Sequence, residues 1–142
     1  MWLIFMKLFL LRWGPAFALM LIIFIVSAQP KTELPDFGVW DFVVKKGAHV
    51  IEYALLAILM WRGVRGDQTA RPAHIAWAFA LTVLYAMTDE YHQTFVPGRM
   101  GHWPDVVVDA LGATTGLTLR HWPRLRARLR FPFRNKSGSS HR

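Results

Sequence analysis

The stretch "DVVVDALGATTGLTL", residues 105–119, decides the fold because it is apolar and yet carries two acids. Two acids and two glycines follow one another at intervals of four, three and four residues: Asp105, Asp109, Gly112 and Gly116. Residues at this spacing share one face of an α-helix. The glycines form GxxxG, a pattern that lets a neighbouring helix backbone approach closely. The stretch therefore predicts a helix that packs tightly on another and points its acids into a bundle.

Three further apolar segments precede this one, and together the four predict an all-α membrane protein. They lie at about residues 13–28, 47–61 and 73–88. The chain of 142 residues is 54% hydrophobic and 18% charged, and a soluble domain would have roughly 25% charged residues. We expect one membrane domain, residues 13–120, formed by a bundle of four transmembrane helices at about 13–28, 45–61, 73–88 and 104–120.

The basic residues predict how these helices are oriented. If all four segments cross a bilayer, thirteen of the 17 Lys and Arg residues fall on one side, including those from Arg120 onward. Among the nine acids, only Asp67 falls with them. The positive-inside rule then places both termini in the cytoplasm, with an interfacial segment at 1–12 and a basic tail at 121–142. The net charge of +8 is thereby explained as a topology signal, and nucleic acid is not expected as a partner.

The first segment also fits a second interpretation. Its basic start, apolar middle and the "VSA" before Gln29 are typical of a secretory signal with small residues at the cleavage site. Cleavage would leave three apolar segments that still need to be held in the membrane. The alternation of basic and acidic connections along the chain also fits best when the first helix is retained. We therefore expect the first helix to be kept, with Gly14-Pro15 at its first turn, where a proline is tolerated.

The second and fourth segments are too short to cross a membrane on their apolar residues alone. About fifteen helical residues span roughly 22 Å, whereas the hydrocarbon core is about 30 Å thick. To span it, they must include the polar residues at their outer ends, His49 and Glu52 in one helix and Asp105 and Asp109 in the other. Ionisable side chains at that depth face protein or a wet cavity and are candidate functional groups.

Residues 89–105, "DEYHQTFVPGRMGHWPD", predict a polar loop that forms a lid over these groups. Pro97-Gly98 suits the central positions of a type II turn, which would fold Arg99 back over Asp89 and Glu90. Arg99 then has two interpretations. It forms an ion pair with one of these acids, or its planar guanidinium binds a phosphate or carboxylate.

Four motifs follow one another along the chain. They are Ser27-Ala28-Gln29; then Lys46, His49, Glu52 and Tyr53; then Asp89, Glu90, Gln93, Phe95, Pro97, Gly98 and Arg99; and last Asp105, Asp109, Gly112 and Gly116. In this order they resemble the VanZ-like family, over about residues 15–120. The resemblance implies a four-helix protein of the bacterial cytoplasmic membrane. It also implies a role in the cell envelope and a contribution to glycopeptide resistance, specifically to teicoplanin.

The polar side chains leave three kinds of site open. His49 beside Glu52 suits acid–base catalysis, because positioned histidine and carboxylate groups transfer protons efficiently near neutral pH. With Asp109, the same side chains suit a divalent metal ion, although no recognised metal motif is present and no cofactor is identified. The third alternative is a structural network of hydrogen bonds.

We expect catalytic roles for His49, Glu52, Asp89, Glu90 and Asp109. Substrate-binding roles are expected for Lys46, Gln93, Arg99, Asp105, Ser27 and Gln29. His92 and His102 are expected on the loop surface.

The predicted function is to bind or act on an anionic, lipid-linked envelope component from the outer side of the membrane. As an enzyme, the protein would be a hydrolase or a transferase embedded in the bilayer. One alternative is a non-catalytic factor that binds a lipid or the antibiotic. A small transporter is less suited, because four short helices offer little for alternating access unless the protein oligomerises.

Overall fold

The computed structural model describes residues 1–30, 32 and 34–130, with only the course of the helix for residues 122–130. It contains α1 (Trp2–Ser27), a short 3-10 helix (Gly38–Trp40), α2 (Asp41–Arg65), α3 (Pro72–Gln93) and α4 (Trp103–Arg130). These ranges include no strand, so the all-α prediction is confirmed for the described part of the chain. The predicted tail at 121–142 is helical to Arg130, and the rest of it lies outside the described residues.

The helices are longer than the apolar segments that predicted them. α2 and α4 hold 25 and 28 residues, or roughly 38 and 42 Å of helix. As the length argument predicted, both include the polar residues at their starts. α1 begins at Trp2, so residues 2–12 extend the first helix, because their apolar sequence contains no glycine or proline to interrupt it.

Among the described residues, α1 is the one helix long and apolar enough to cross a membrane by length and composition. Only 11% of its most apolar window is buried, so most of its side chains face outward. The other three helices carry ionisable side chains that lower their mean hydropathy. That all four cross the bilayer stays a prediction.

The helices run alternately up and down, which gives the bundle two chemically different ends. At the end where α1 and α3 finish, Ser27 donates a hydrogen bond to Asp89 at 2.6 Å. At the same end α2 and α4 begin, and Lys46 forms an ion pair with Asp105. We call this the polar end. The opposite end, where α2 finishes and α3 begins, is called the basic end.

α4 makes its closest backbone contact with α2 at the two glycines. A Cβ atom at Gly112 would lie 2.6 Å from the carbonyl oxygen of Val50, and one at Gly116 would overlap the backbone of Ala54. Since neither position has room for a methyl group, the close approach predicted from GxxxG is confirmed. The contact brings the acidic stripe of α4 against the start of α2.

Pro15 lies inside α1, which corrects the predicted start of this helix. A proline has no N–H to donate to the carbonyl four residues earlier, here that of Leu11. Arg62 of α2 donates to this carbonyl instead, at 2.8 Å. Beside it, Trp13 packs so closely on Gly63 that a Cβ there would lie 2.7 Å from the indole. α1 thus docks on α2 partly through a group that the proline leaves free.

Candidate functional site

The polar stretch 89–105 is only partly a loop. α3 continues to Gln93 and α4 begins at Trp103, so the predicted end of the third helix at 88 is too early. Asp89, Glu90 and Gln93 are only 3%, 6% and 6% exposed. They continue the helix because their side chains find hydrogen-bond partners inside the bundle.

Two acids of α3 are held in a hydrogen-bonded cluster. The Ser27 hydroxyl donates to Asp89 Oδ1 at 2.6 Å. Gln93 Nε2 donates to Asp89 Oδ2 at 3.0 Å and to Glu90 Oε1 at 3.2 Å. The backbone N–H of His102 donates to Glu90 Oε2 at 3.0 Å. Every carboxylate oxygen of the two acids therefore has a donor, which offsets the cost of burying them.

A tight turn follows α3 and sets the position of Arg99. Gly98 has a φ of +73°, and the Arg99 N–H donates to the Val96 carbonyl at 3.1 Å. This is the geometry of a type II turn with Pro97 and Gly98 at its centre. The predicted turn is confirmed.

Arg99 connects this turn to the end of α1. Its guanidinium donates to the carbonyl oxygens of Gln29 at 3.0 Å and Val26 at 3.1 Å, and to Oε1 of Gln93 at 2.9 Å. The suggested direct ion pair with an acid of α3 does not form, because Gln93 lies between the two groups. Its amide nitrogen donates to both acids, and its amide oxygen accepts from Arg99. Burial lowers the pKa of Arg99 below its usual value, partly offset by these two negative charges. The guanidinium nevertheless stays protonated.

His49 and Asp109 form the second part of the site. His49 Nδ1 lies 3.0 Å from Asp109 Oδ1. The Asp109 side chain is 1% exposed and that of His49 is 24% exposed. In a neutral imidazole that donates from Nδ1, the other nitrogen, Nε2, is an acceptor. Asp109 therefore orients His49 as an acid orients a catalytic histidine, while its own Oδ2 is buried without a hydrogen-bond partner in the described chain.

Glu52 and Tyr53 lie beside His49, one turn further along α2. The Tyr53 ring stacks on the His49 ring, with centroids 6.3 Å apart and planes at 16°. Its hydroxyl is buried and has no partner among the described residues. Glu52 is half-buried and, unlike the acids of α3, accepts no hydrogen bond from the described residues. Its carboxylate oxygens can therefore accept hydrogen bonds from a ligand.

Two lysines of α2 lie at the mouth of the site. Lys46 pairs with Asp105 across to α4, and Lys45 pairs with Asp41 one turn back at 2.8 Å. An ammonium group has three donors, so each lysine keeps donors that a ligand can use.

Two adjoining cavities open onto these groups. The inner cavity, of about 330 Å³, is lined by residues that include Ser27, Lys45, His49, Glu52, Asp89 and Arg99. The outer cavity, of about 290 Å³, is lined by residues that include Asp41, Lys45, Lys46, His49, Arg99 and Asp105. Both cavities are lined by Leu34, Lys45, His49, Gln93 and Arg99. We therefore treat the cavities as one polar recess.

The structure brings the predicted site residues together at the polar end, although three of them do not line the recess with a side chain. Asp109 supports His49 from α4. Glu90 lies behind Gln93 and lines a separate cavity of about 270 Å³ between α3 and α4. Gln29 contributes its backbone carbonyl to Arg99. The catalytic and substrate-binding roles stay predictions.

No group of three or more histidine or acidic side chains in the described part of the chain is arranged to hold a metal ion. His49 and Asp109 are in contact, but among the described residues no third such side chain completes a ligand set with them. The metal alternative stays a prediction that metal analysis can test.

Two contacts of α1 with α3 were not predicted from the sequence. The Tyr85 hydroxyl donates to the Met20 carbonyl at 2.6 Å. His92, expected on the loop surface, instead lies on α3 with its ring 4.4 Å from that of Phe24. Tyr85 and His92 are seven residues apart, which is about two helical turns. This spacing was the signal in the sequence that both side chains lie on one face of α3. His102 is exposed, as expected.

Comparison with known protein families gives a match over most of the chain. A family model described as VanZ/LLP1 matches residues 1–123. No curated protein sequence and no solved structure is significantly similar to the chain. The matched range contains α1, α2, α3 and most of α4, and with them the whole polar end.

Proposed function

The chain belongs to the VanZ/LLP1 family, and from that premise we propose that its polar end binds and acts on an anionic, lipid-linked component of the bacterial cell envelope. Family membership and the apolar helix α1 indicate a membrane protein. In our proposal all four helices cross the cytoplasmic membrane with both termini inside. The segregation of bases to the basic end supports this orientation, in which the polar recess faces the extracytoplasmic side.

The observation that carries the chemical proposal is the His49–Asp109 pair beside Glu52, which accepts no hydrogen bond from the described residues. With Nδ1 donating to Asp109, Nε2 of His49 can take a proton from water or a hydroxyl group. Glu52 can hold a proton and deliver it to a leaving group. Such positioned acid–base groups contribute about 10²- to 10⁴-fold to a rate. Hydrolysis or group transfer at a phosphate or ester fits this pair.

The outer cavity supports an anionic substrate. Its lining includes Lys45, Lys46 and Arg99 against two acids, Asp41 and Asp105. A phosphate or carboxylate in this cavity would gain donors from the lysines without displacing their partners. The inner cavity, which contains Glu52 and Asp89, is less suited to an anion, so we place the headgroup outside and the reacting bond next to His49.

Direct assay of the reaction tests this proposal. The purified protein in lipid nanodiscs is incubated with polyprenyl diphosphate and polyprenyl-linked saccharide diphosphate, and products are followed by mass spectrometry. His49→Gln, Glu52→Gln and Asp109→Asn should each abolish product while lipid binding is retained. A matched control is Asp67→Asn, which removes an acid at the basic end.

Two results would contradict catalysis. Effects that follow lipid affinity alone would favour the non-catalytic binding factor, and no binding of either lipid would reject the anionic ligand. Repeating the assay with a chelator, together with metal analysis of the purified protein, tests the metal alternative.

The proposed link to antibiotic resistance needs its own measurement. Expression of the chain in a susceptible bacterium should raise the inhibitory concentration of teicoplanin, and His49→Gln should remove the increase at equal protein level. Equal protection by the variant would separate resistance from the polar site.

A further inference from the structure

A second cluster of functional groups lies at the basic end, around Trp61. This indole, near the end of α2, is 3% exposed. The guanidinium carbons of Arg65 and Arg120 each lie 5.0 Å from the centre of its ring. The His121 ring meets it edge-on, with centroids 5.0 Å apart and planes at 86°. We call Trp61, Arg65, Arg120 and His121 the basic cluster.

The two arginines of this cluster have no ion-pair partner among the described residues. Asp67, the acid on the neighbouring loop, pairs with Arg12. Two guanidinium groups held against one ring without a counter-charge produce a positive potential that attracts an anion. Nε1 of Trp61 and Nε2 of His121 are also buried without a hydrogen-bond partner in the described chain.

An apolar groove leads to this cluster. It is a cavity of about 430 Å³ between α3 and α4. Its lining consists of Pro72, Ile75, Ala76, Phe79, Thr114, Leu117, Thr118 and His121. From Thr114 to His121 it follows α4 for about 10 Å. Phe79 and Thr118 are exposed, so the groove opens on the outer surface of the bundle, and His121 belongs to both groove and cluster.

We propose that the groove and the basic cluster form a binding site for an anionic phospholipid. One acyl chain lies along the groove, and the phosphate lies against Arg65 and Arg120, with an oxygen acceptor for the indole N–H group. A groove alone would accept any apolar partner. The unpaired charges at its end select a lipid that presents an acyl chain and a negative headgroup in that order. This site is separate from the polar recess and does not depend on its chemistry.

Native mass spectrometry of the full chain in a neutral detergent tests the site. The probes are phosphatidylglycerol and phosphatidylcholine with identical acyl chains. The wild-type chain should retain phosphatidylglycerol at least about tenfold more strongly, since each basic residue near an anionic lipid strengthens binding by about fivefold. The double variant Arg65→Gln/Arg120→Gln should weaken phosphatidylglycerol binding by about 25-fold and phosphatidylcholine binding much less, because the choline cation offsets the charge of its phosphate.

Matched variants separate a site from general attraction. Lys7→Gln removes an exposed base of α1, which does not line the groove, and should change phosphatidylglycerol binding less than about twofold. Thr118→Phe fills the groove and should weaken both lipids. Circular dichroism verifies folding, and if the double variant does not fold, the wild-type preference and the groove variant still decide the outcome.

Three results would overturn the proposal. The first is equal retention of the two lipids by the wild-type chain. The second is an equal loss of phosphatidylglycerol in Lys7→Gln and in the double variant. The third is displacement of phosphatidylglycerol by millimolar inorganic phosphate, which would show that the groove contributes nothing.

Discussion

At the scale of single residues, the polar end separates acids that are fully bonded from acids that are not. Asp89 and Glu90 receive donors on all their carboxylate oxygens. Asp109 has one oxygen without a partner in the described chain, and Glu52 accepts no hydrogen bond there. Buried acids that serve only stability are normally satisfied. We therefore infer that the α3 acids hold the bundle together and that Glu52, His49 and Asp109 are the better candidates for chemistry.

A double substitution distinguishes a functional pair from a structural one. Replacing His49 and Asp109 together by leucine removes a buried polar pair, and such replacements by apolar residues are often neutral or stabilising by about 1–4 kcal/mol. We expect His49→Leu/Asp109→Leu to unfold at or above the wild-type temperature while losing all activity. Thermal unfolding in detergent, followed by circular dichroism, measures this. A double variant that unfolds well below the wild type would mean that the pair is mainly structural.

At the scale of the helices, the site is assembled by the close contact of α4 with α2. Gly112 and Gly116 lie directly on the backbone of α2. The same approach sets the distance across the His49–Asp109 and Lys46–Asp105 pairs.

Adding one methyl group tests this contact. Gly112→Ala should lower the free energy of unfolding by about 1–3 kcal/mol, because the added carbon cannot be accommodated without shifting a backbone. Gly47→Ala is the matched control. It lies in α2, where an added Cβ would meet nothing within 4 Å, and alanine should stabilise that helical position by about 0.5–1 kcal/mol. Equal behaviour of the two variants in thermal unfolding would contradict the assigned helix contact.

The docking of α1 on α2 gives a second prediction at this scale. Arg62→Ala leaves the Leu11 carbonyl without its donor and should cost about 1 kcal/mol. In a Pro15→Ala background the alanine N–H can bond to the same carbonyl, so the cost of Arg62→Ala should largely disappear. The free energies of unfolding of the two single variants and the double variant, compared in a thermodynamic cycle, measure this coupling. Additive effects would show that the arginine does not substitute for the missing helix bond.

At the scale of the whole molecule, the proposed orientation can be tested directly because the chain contains no cysteine. Val39, before α2, is 94% exposed, and Thr69 lies in the exposed loop between α2 and α3. A membrane-impermeant maleimide should label Val39→Cys in intact cells. It should label Thr69→Cys only after the cells are permeabilised. The reverse result would place the polar recess on the cytoplasmic side.

The sequence predicted those features that depend on spacing along one helix. The glycines of α4 and the turn at Pro97-Gly98 were identified because local geometry restricts which residues fit. Contacts between helices were harder to predict. The partner of Arg99 depends on where Gln93 and the end of α1 meet, and the length of α3 depends on burial that only the assembled bundle supplies. The basic cluster around Trp61 was not predictable from the sequence for the same reason, because its members come from two different helices.

The polar end is formed by side chains from helices that are synthesised at different times, and this affects how the protein is inserted. α2 emerges from the ribosome carrying His49 and Glu52, while Asp109 is supplied by a helix made later, 60 residues after His49. If α2 crosses the bilayer as proposed, His49 lacks Asp109 until α4 is made, and lipid offers its polar side chains no partner in the meantime. α1 must also stay close enough for Arg99 to donate to the carbonyls of Val26, in its last turn, and Gln29, just after it. If all four helices cross the bilayer, we therefore expect insertion to be cooperative, with α4 stabilising α2 and the turn before α4 stabilising α1.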